Sequence, residues 1–328
     1  MRRSAPFRNL PLALTFAAAL ASAFPFLADA QSEFTRGNRM PYDAFEKLEK
    51  TDLDVPGGVI HVGFAPGEIV LPREKVLEWV KASARAVATY YGRFPVSDVK
   101  LLIVPVAGPR VRGGTTWGYR GAAIRIMLGR DADEDALRRD WVMVHEMVHL
   151  ALPELAERHA WLSEGLAVYV EPIARVQAGD LTAAEIWQAM MRDMPKGLPE
   201  AGDRGLDNTD TWGRRYWGGA MFCLLADVEI RKATGNRLGL QDAMRGVLSA
   251  GGNHEQDWPI ARVLAAADKA VGVDVLMRLH GEMGSKPIAP DLSALWRDLG
   301  LRQRGGALEF DDAAPLAAIR KAITARPK

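Results

Sequence analysis

Residues His145-Glu146-Met147-Val148-His149 lie in a stretch that is otherwise strongly apolar, with Trp141, Val142, Val144 and Leu150 around them. The apolar spacing predicts a helix packed deep in the protein, yet three of its residues are ionisable. No other feature restricts the fold so much. Helical positions four apart differ by about 40° around the axis and by about 6 Å along it, so both imidazoles leave one face. Glu146 sits about 100° round from His145, beside that face rather than on it. Two imidazoles so placed can grip one metal ion, with the acid close enough to take a proton from a neighbouring water. The competing reading is a pair of core histidines that only satisfy hydrogen bonds.

H-E-x-x-H on a helix is the arrangement of zinc hydrolases, and a catalytic zinc needs a third protein ligand and one open position. The segment Trp161-Leu162-Ser163-Glu164-Gly165-Leu166-Ala167-Val168-Tyr169-Val170-Glu171 supplies a candidate in Glu164, fifteen positions after His149 across a connection containing Pro153. That length suits a second helix returning antiparallel to the first, and Gly165 allows close approach of helices. Glu164 also fits a plain helix-start charge favoured by the macrodipole. His159, five residues earlier, competes for the third position from the connection.

The rest of the chain bounds the protein class. Arg2, Arg3 and Arg8 precede the apolar run Leu10–Leu27, and Ala28-Asp29-Ala30 fits a small-x-small cleavage site. This is the pattern of a secretory signal peptide over residues 1–30, cleaved near Ala30. Pro11 and Pro25 interrupt the run, so a membrane anchor is the weaker reading, and no later segment is long enough to span a bilayer. The expected location is therefore periplasmic or secreted. With 42 Lys+Arg against 41 Asp+Glu the chain has no basic excess for nucleic acid, and at 48% hydrophobic residues it is not disordered. A lone cysteine, Cys223, excludes a disulfide framework and a Cys-rich zinc module and suits export.

Along the mature chain, 31–132 reads as a small α+β lobe. Gln31–Pro56 is a polar lead-in and Val59–Phe64 a strand. Pro72 opens a helix to Tyr91. Val99–Val106 is a buried strand, Gly113-Gly114 a turn and Ala123–Leu128 a further strand whose edge can pair with an extended substrate. From Asp133 the pattern is helical, over 134–151, 161–176, 182–192, 216–232, 240–249, 259–271, 273–282, 291–299 and 314–325. Pro195–Arg214 is a long Gly/Pro/Asp-rich loop of the kind that tends to be functional. The lobe 133–328 thus begins with the metal-binding helices, and the site is expected between the two lobes.

His145-Glu146-x-x-His149 followed by Trp161-Leu-Ser-Glu164-Gly-Leu-Ala-x-Tyr-x-Glu171 resembles the gluzincin peptidases, the thermolysin-like two-lobe enzymes that include the aminopeptidase N and glycyl aminopeptidase families. The resemblance implies a zincin-like α+β fold, Zn2+ held by His145, His149 and Glu164, and Glu146 as general base. Tyr216-Trp-Gly-Gly219-Ala-Met is similar to the Y-x-x-G-A helix start of those families, which implies that Tyr216 stabilises the oxyanion. Asp227–Gly235 and Tyr90-Tyr91-Gly92-Arg93-Phe94-Pro95 extend the likeness over roughly 85–250. Two departures stand out. The interval from His149 to Glu164 is shorter than in the aminopeptidase N branch. The G-x-M-E-N segment by which that branch recognises a free substrate amine is replaced by Gly113-Gly114-Thr115-Thr116-Trp117, which has no carboxylate.

The function so implied is an exported zinc metallopeptidase acting on peptides or proteins. The alternatives are a non-catalytic binding or scaffold protein, against which the intact Glu146 argues, and a zinc hydrolase of a non-peptide bond. Arg214 and Arg215 are candidates to hold a substrate carboxylate, although such a pair is more often a solvated loop charge. Trp117, Trp212 and Trp217 read as core or rim packing.

Overall fold

The computed structural model describes residues 33–327 except 36 and 38. The expected leader over 1–30 lies outside them. Near-continuous apolar runs in Asp98–Val106 and Ala123–Gly129 can be buried only in the middle of a sheet covered on both faces, and that is where they lie. The short helix α1 (Tyr42–Phe45) leads into β1 (Lys50–Val55) and β2 (Gly58–Phe64). Helix α2 (Arg73–Tyr91), β3 (Asp98–Val106), β4 (Val111–Trp117) and β5 (Ala123–Gly129) follow. The strand order is β1-β2-β3-β5-β4. β2, β3 and β5 run parallel, while β1 and β4 are antiparallel edges.

Two expectations change here. Gly113 and Gly114 form no turn: they belong to β4, paired with Met127 and Ile126. Ala123–Leu128 is not an edge open to substrate, because β5 is flanked by β3 and β4; the free edge on this side is β4. Glycine-rich, polar Val-Arg-Gly-Gly-Thr-Thr-Trp reads poorly as a strand because an edge needs little burial of its own. The polar lead-in likewise contains a strand, β1, whose burial is confined almost to Leu53.

α2 crosses over between parallel β2 and β3, burying Val76, Val80, Ala84 and Val87 in the main core. A smaller cluster built from Phe34, Tyr42, Phe45, Leu102 and Val104 covers the other side of the sheet. The helical part comprises α3 (Glu134–Arg138), α4 (Val142–His149), α5 (Ala160–Ala178), α6 (Ala183–Asp193), α7 (Gly219–Ala233), α8 (Leu240–Ser249), α9 (Ile260–Val271), α10 (Val275–Met283), α11 (Leu292–Asp298) and α12 (Ala317–Thr324). A hairpin of β6 (Leu301–Arg304) and β7 (Ala307–Phe310) separates the last two helices and has no counterpart in the helical reading. The core runs without a break from the sheet through these helices, from Leu53 to Ile323. Among the described residues no helix is long and apolar enough to cross a membrane.

The helix expected over 134–151 is two helices. Asp140 breaks it: its carboxylate accepts the backbone N–H groups of Val142 (3.1 Å) and Met143 (3.0 Å), capping α4. Burial pushes the Asp140 carboxyl up to about 6 despite those bonds. α4 is thus a separate short rod buried along its whole length.

Candidate metal centre and cleft

α4 delivers both histidines to one face, and α5 brings Glu164 to them. Glu164 Oε2 stands 3.2 Å from His145 Nε2 and 3.6 Å from His149 Nε2. The first is at the long end of an ordinary hydrogen bond and the second lies beyond one. They match the edge of a tetrahedron around zinc, about 3.4 Å for bonds of 2.0–2.2 Å. The three side chains therefore fit a zinc ion, with His145, His149 and Glu164 as the donors. Burial opposes ionisation of Glu164, yet the two imidazoles overcome it and hold the carboxyl far below the usual carboxylate range. The other ring nitrogens differ. His149 Nδ1 bonds Ser163 Oγ at 3.0 Å, which fixes its orientation, whereas His145 Nδ1 is buried with no hydrogen-bond partner.

Glu146 is held from the sheet side. Thr116 Oγ1 lies 2.7 Å from Glu146 Oε2 and 2.9 Å from its carbonyl oxygen, so β4 fixes the acid that the helix presents. Gly114 makes this approach possible, since a Cβ there would stand 2.4 Å from Glu146 Cγ. Tyr216 enters from the opposite wall on a π-helical turn, Gly213–Gly218, that runs into α7. Such turns recur at functional sites because they re-aim a side chain. Burial and the nearby charges of Glu164 and Glu146 raise the Tyr216 hydroxyl above its ordinary value, so it keeps its proton and remains a donor. Its ring stacks on Trp212 at 6.0 Å.

The walls define a cleft of about 450 Å³ lined by β4, α4, Ser163, Glu164, Tyr216 and His254. His254 was not among the sequence candidates. It lies on the loop before α9, with its backbone N–H on Leu150 O (3.1 Å) and its ring on Leu152 O (3.3 Å). Burial, then the neighbouring His149, lowers it to about 4, which leaves a neutral imidazole in the cleft. It is 105 residues after His149, and no spacing rule links the two.

Three other candidates stand elsewhere. His159 does not join His145, His149 and Glu164: its Nδ1 bonds Asp207 at 2.8 Å. Asp207 also accepts Trp161 Nε1 at 2.8 Å and His280 Nε2 at 2.9 Å, so one carboxylate ties the long loop to the start of α5 and to α10. Those lengths are hydrogen bonds, so His159, Asp207 and His280, although close enough together to hold an ion, form a polar clamp. Burial works against the Asp207 charge, but His280, Trp161 and His159 bring the carboxyl down to about 2. Arg214 is buried, with Nε 2.8 Å from Asp203 Oδ2 and Nη1 donating to Gly197 O. Arg215 pairs with Asp210 (2.9 Å) and Glu157 (2.6 Å). Neither arginine is free for a substrate. Of the tryptophans, Trp117 is buried as packing requires, whereas Trp212 is 62% exposed.

No protein-family model matches the sequence, and no curated protein does. Solved structures do. The chain has a gluzincin-like fold. It superposes on an aminopeptidase N family protein from Idiomarina loihiensis with a TM-score of 0.58 at 14% identity, covering 78% of this chain and 49% of that one. An M1 zinc metallopeptidase from Deinococcus radiodurans aligns at a TM-score of 0.49 and 16% identity, over 74% of this chain and 53% of that one. The chain therefore spans about half the length of the solved structures it matches.

Proposed function

We propose that this protein is an exported zinc metallopeptidase. The reading is carried by one observation: two imidazoles and a carboxylate converge at zinc-edge separations, with Glu146 held beside them by an edge strand. A structural neighbour named as an aminopeptidase N family protein supports peptide bonds as the target.

His145, His149 and Glu164 would hold the ion, which supplies Lewis-acid polarisation of a carbonyl and acidifies water. An extended peptide would lie along β4, whose outer N–H and C=O groups face no further strand. Glu146, steadied by Thr116, takes the proton from the attacking water and passes it to the leaving amine. The Tyr216 hydroxyl donates to the oxyanion as negative charge grows on the carbonyl oxygen. The neutral ring of His254 adds a polar group that carries no charge into the cleft. Ser163 keeps the His149 ring in register.

A free substrate amine would find no spare acid. Among the described residues Glu146 and Glu164 are the only carboxylates lining the cleft, one serving as base and the other as ligand. We infer an endopeptidase. The test is metal analysis together with a library of peptides bearing free or blocked N-termini, run on wild type and on Glu146→Gln. Cleavage of blocked peptides by wild type alone is the expected result. Cleavage by both proteins, or by neither, refutes the mechanism.

A further inference from the structure

β4 does not pair evenly with β5. Val111 pairs with Leu128 and Gly113 with Met127, so Arg112 is the extra residue of a β-bulge. Bulges next to active sites re-aim a side chain, and Arg112 lines the metal cleft. It forms no ion pair or hydrogen bond among the described residues, unlike Arg214, Arg215 and Arg125, which are engaged elsewhere. It stands two residues along the strand from Gly114, so about 7 Å of strand separates it from the point where β4 meets Glu146. The cleft thus offers one uncommitted guanidinium and no uncommitted acid.

From this juxtaposition we propose that Arg112 is a specificity-determining residue that selects substrates carrying a carboxylate close to the scissile bond. The proposal rests on the peptidase reading and deepens it. A guanidinium forks onto a carboxylate through two parallel N–H···O bonds, a geometry that the isosteric amide cannot satisfy. The carboxylate can belong to an Asp or Glu side chain or to the C-terminus of a short peptide. Both present the same group to the same fork.

The experiment uses the zinc-loaded enzyme and peptides blocked at both ends, in pairs that differ only by Glu against Gln at each position flanking the cleaved bond. A second arm compares a free C-terminal acid with its amide. Wild type is expected to favour the acid of one such pair by about tenfold in kcat/KM at low salt. The ratio falls to about one in Arg112→Gln, and Arg112→Glu instead favours a Lys peptide. Preference in the first arm assigns a side-chain carboxylate, and preference in the second assigns the chain terminus. Equal cleavage of every pair by wild type, or an unchanged ratio in Arg112→Gln, overturns the proposal while leaving the peptidase reading intact. Binding of the same labelled peptides to Glu146→Gln, read by fluorescence anisotropy, separates the two ideas. Charge-selective binding without turnover in wild type retains Arg112 and sinks the peptidase. Absence of both cleavage and binding sinks both.

Discussion

The seam that joins Glu164, the proposed third metal ligand, to the opposite wall of the cleft can be broken by one methyl group. Gly165 follows Glu164 in α5, and a Cβ there would stand 2.2 Å from Gly219 C, 2.3 Å from Gly219 Cα and 2.5 Å from Ala220 N. The reciprocal Cβ on Gly219 would reach 1.9 Å from Trp161 O. All four contacts are backbone, so no side chain can swing aside. Gly165→Ala must therefore open the seam by more than an ångström to restore ordinary contact. Overpacking of this kind costs about 1–3 kcal/mol and is only partly offset by the gain in helix propensity, about 1 kcal/mol. The net expectation is destabilisation of about 1 kcal/mol, a fall in Tm of about 2 °C by differential scanning fluorimetry. Because the seam sets the distance from Glu164 to the turn carrying Tyr216, kcat should fall by about a hundredfold, the cost of an ångström of misplacement. Gly281→Ala is the control. Gly281 lies inside α10 with nothing within 4 Å of its would-be Cβ, so the same change there should stabilise by up to about 1 kcal/mol. Equal melting temperatures for Gly165→Ala and wild type would refute the argument.

Replacing His145, His149 or Glu164 by Ala should abolish zinc binding, measured by mass spectrometry of the metal after gel filtration against about one ion per chain in wild type. Thr116→Val leaves Glu146 without its hydroxyl partner and should lower kcat by about tenfold or more, with little change in bound zinc. Asp207→Asn loosens the clamp on the long loop. Asp207 is lowered to about 2 from an ordinary 3.8, so its contribution, about 2 kcal/mol, is present above pH 3.8 and is lost as pH falls through 2. Urea denaturation should thus separate variant from wild type at pH 7 and bring them together near pH 2.

The convergence of His145, His149 and Glu164 was legible in the sequence because helical geometry is local. Four residues of α4 fix the angle between His145 and His149 whatever surrounds them, and one short connection limits where α5 can bring Glu164. The buried strands β3 and β5 were equally plain, since a strand covered on both faces must be apolar at nearly every position. The edge strand was not legible. Gly113 and Gly114 look like a turn because nothing in their own chemistry asks for a strand; their place depends on hydrogen bonds to β5 and on Glu146 filling the space where side chains would be. The break at Asp140 depended on a carboxylate outcompeting the helical pattern for two N–H groups. His254 and Asp207 reach their partners across more than forty residues of chain, and Arg112 earns its position only through a bulge. Local periodicity determined which side chains could meet a metal. Long-range packing alone decided what holds them, what faces them and which charges are left free for a substrate.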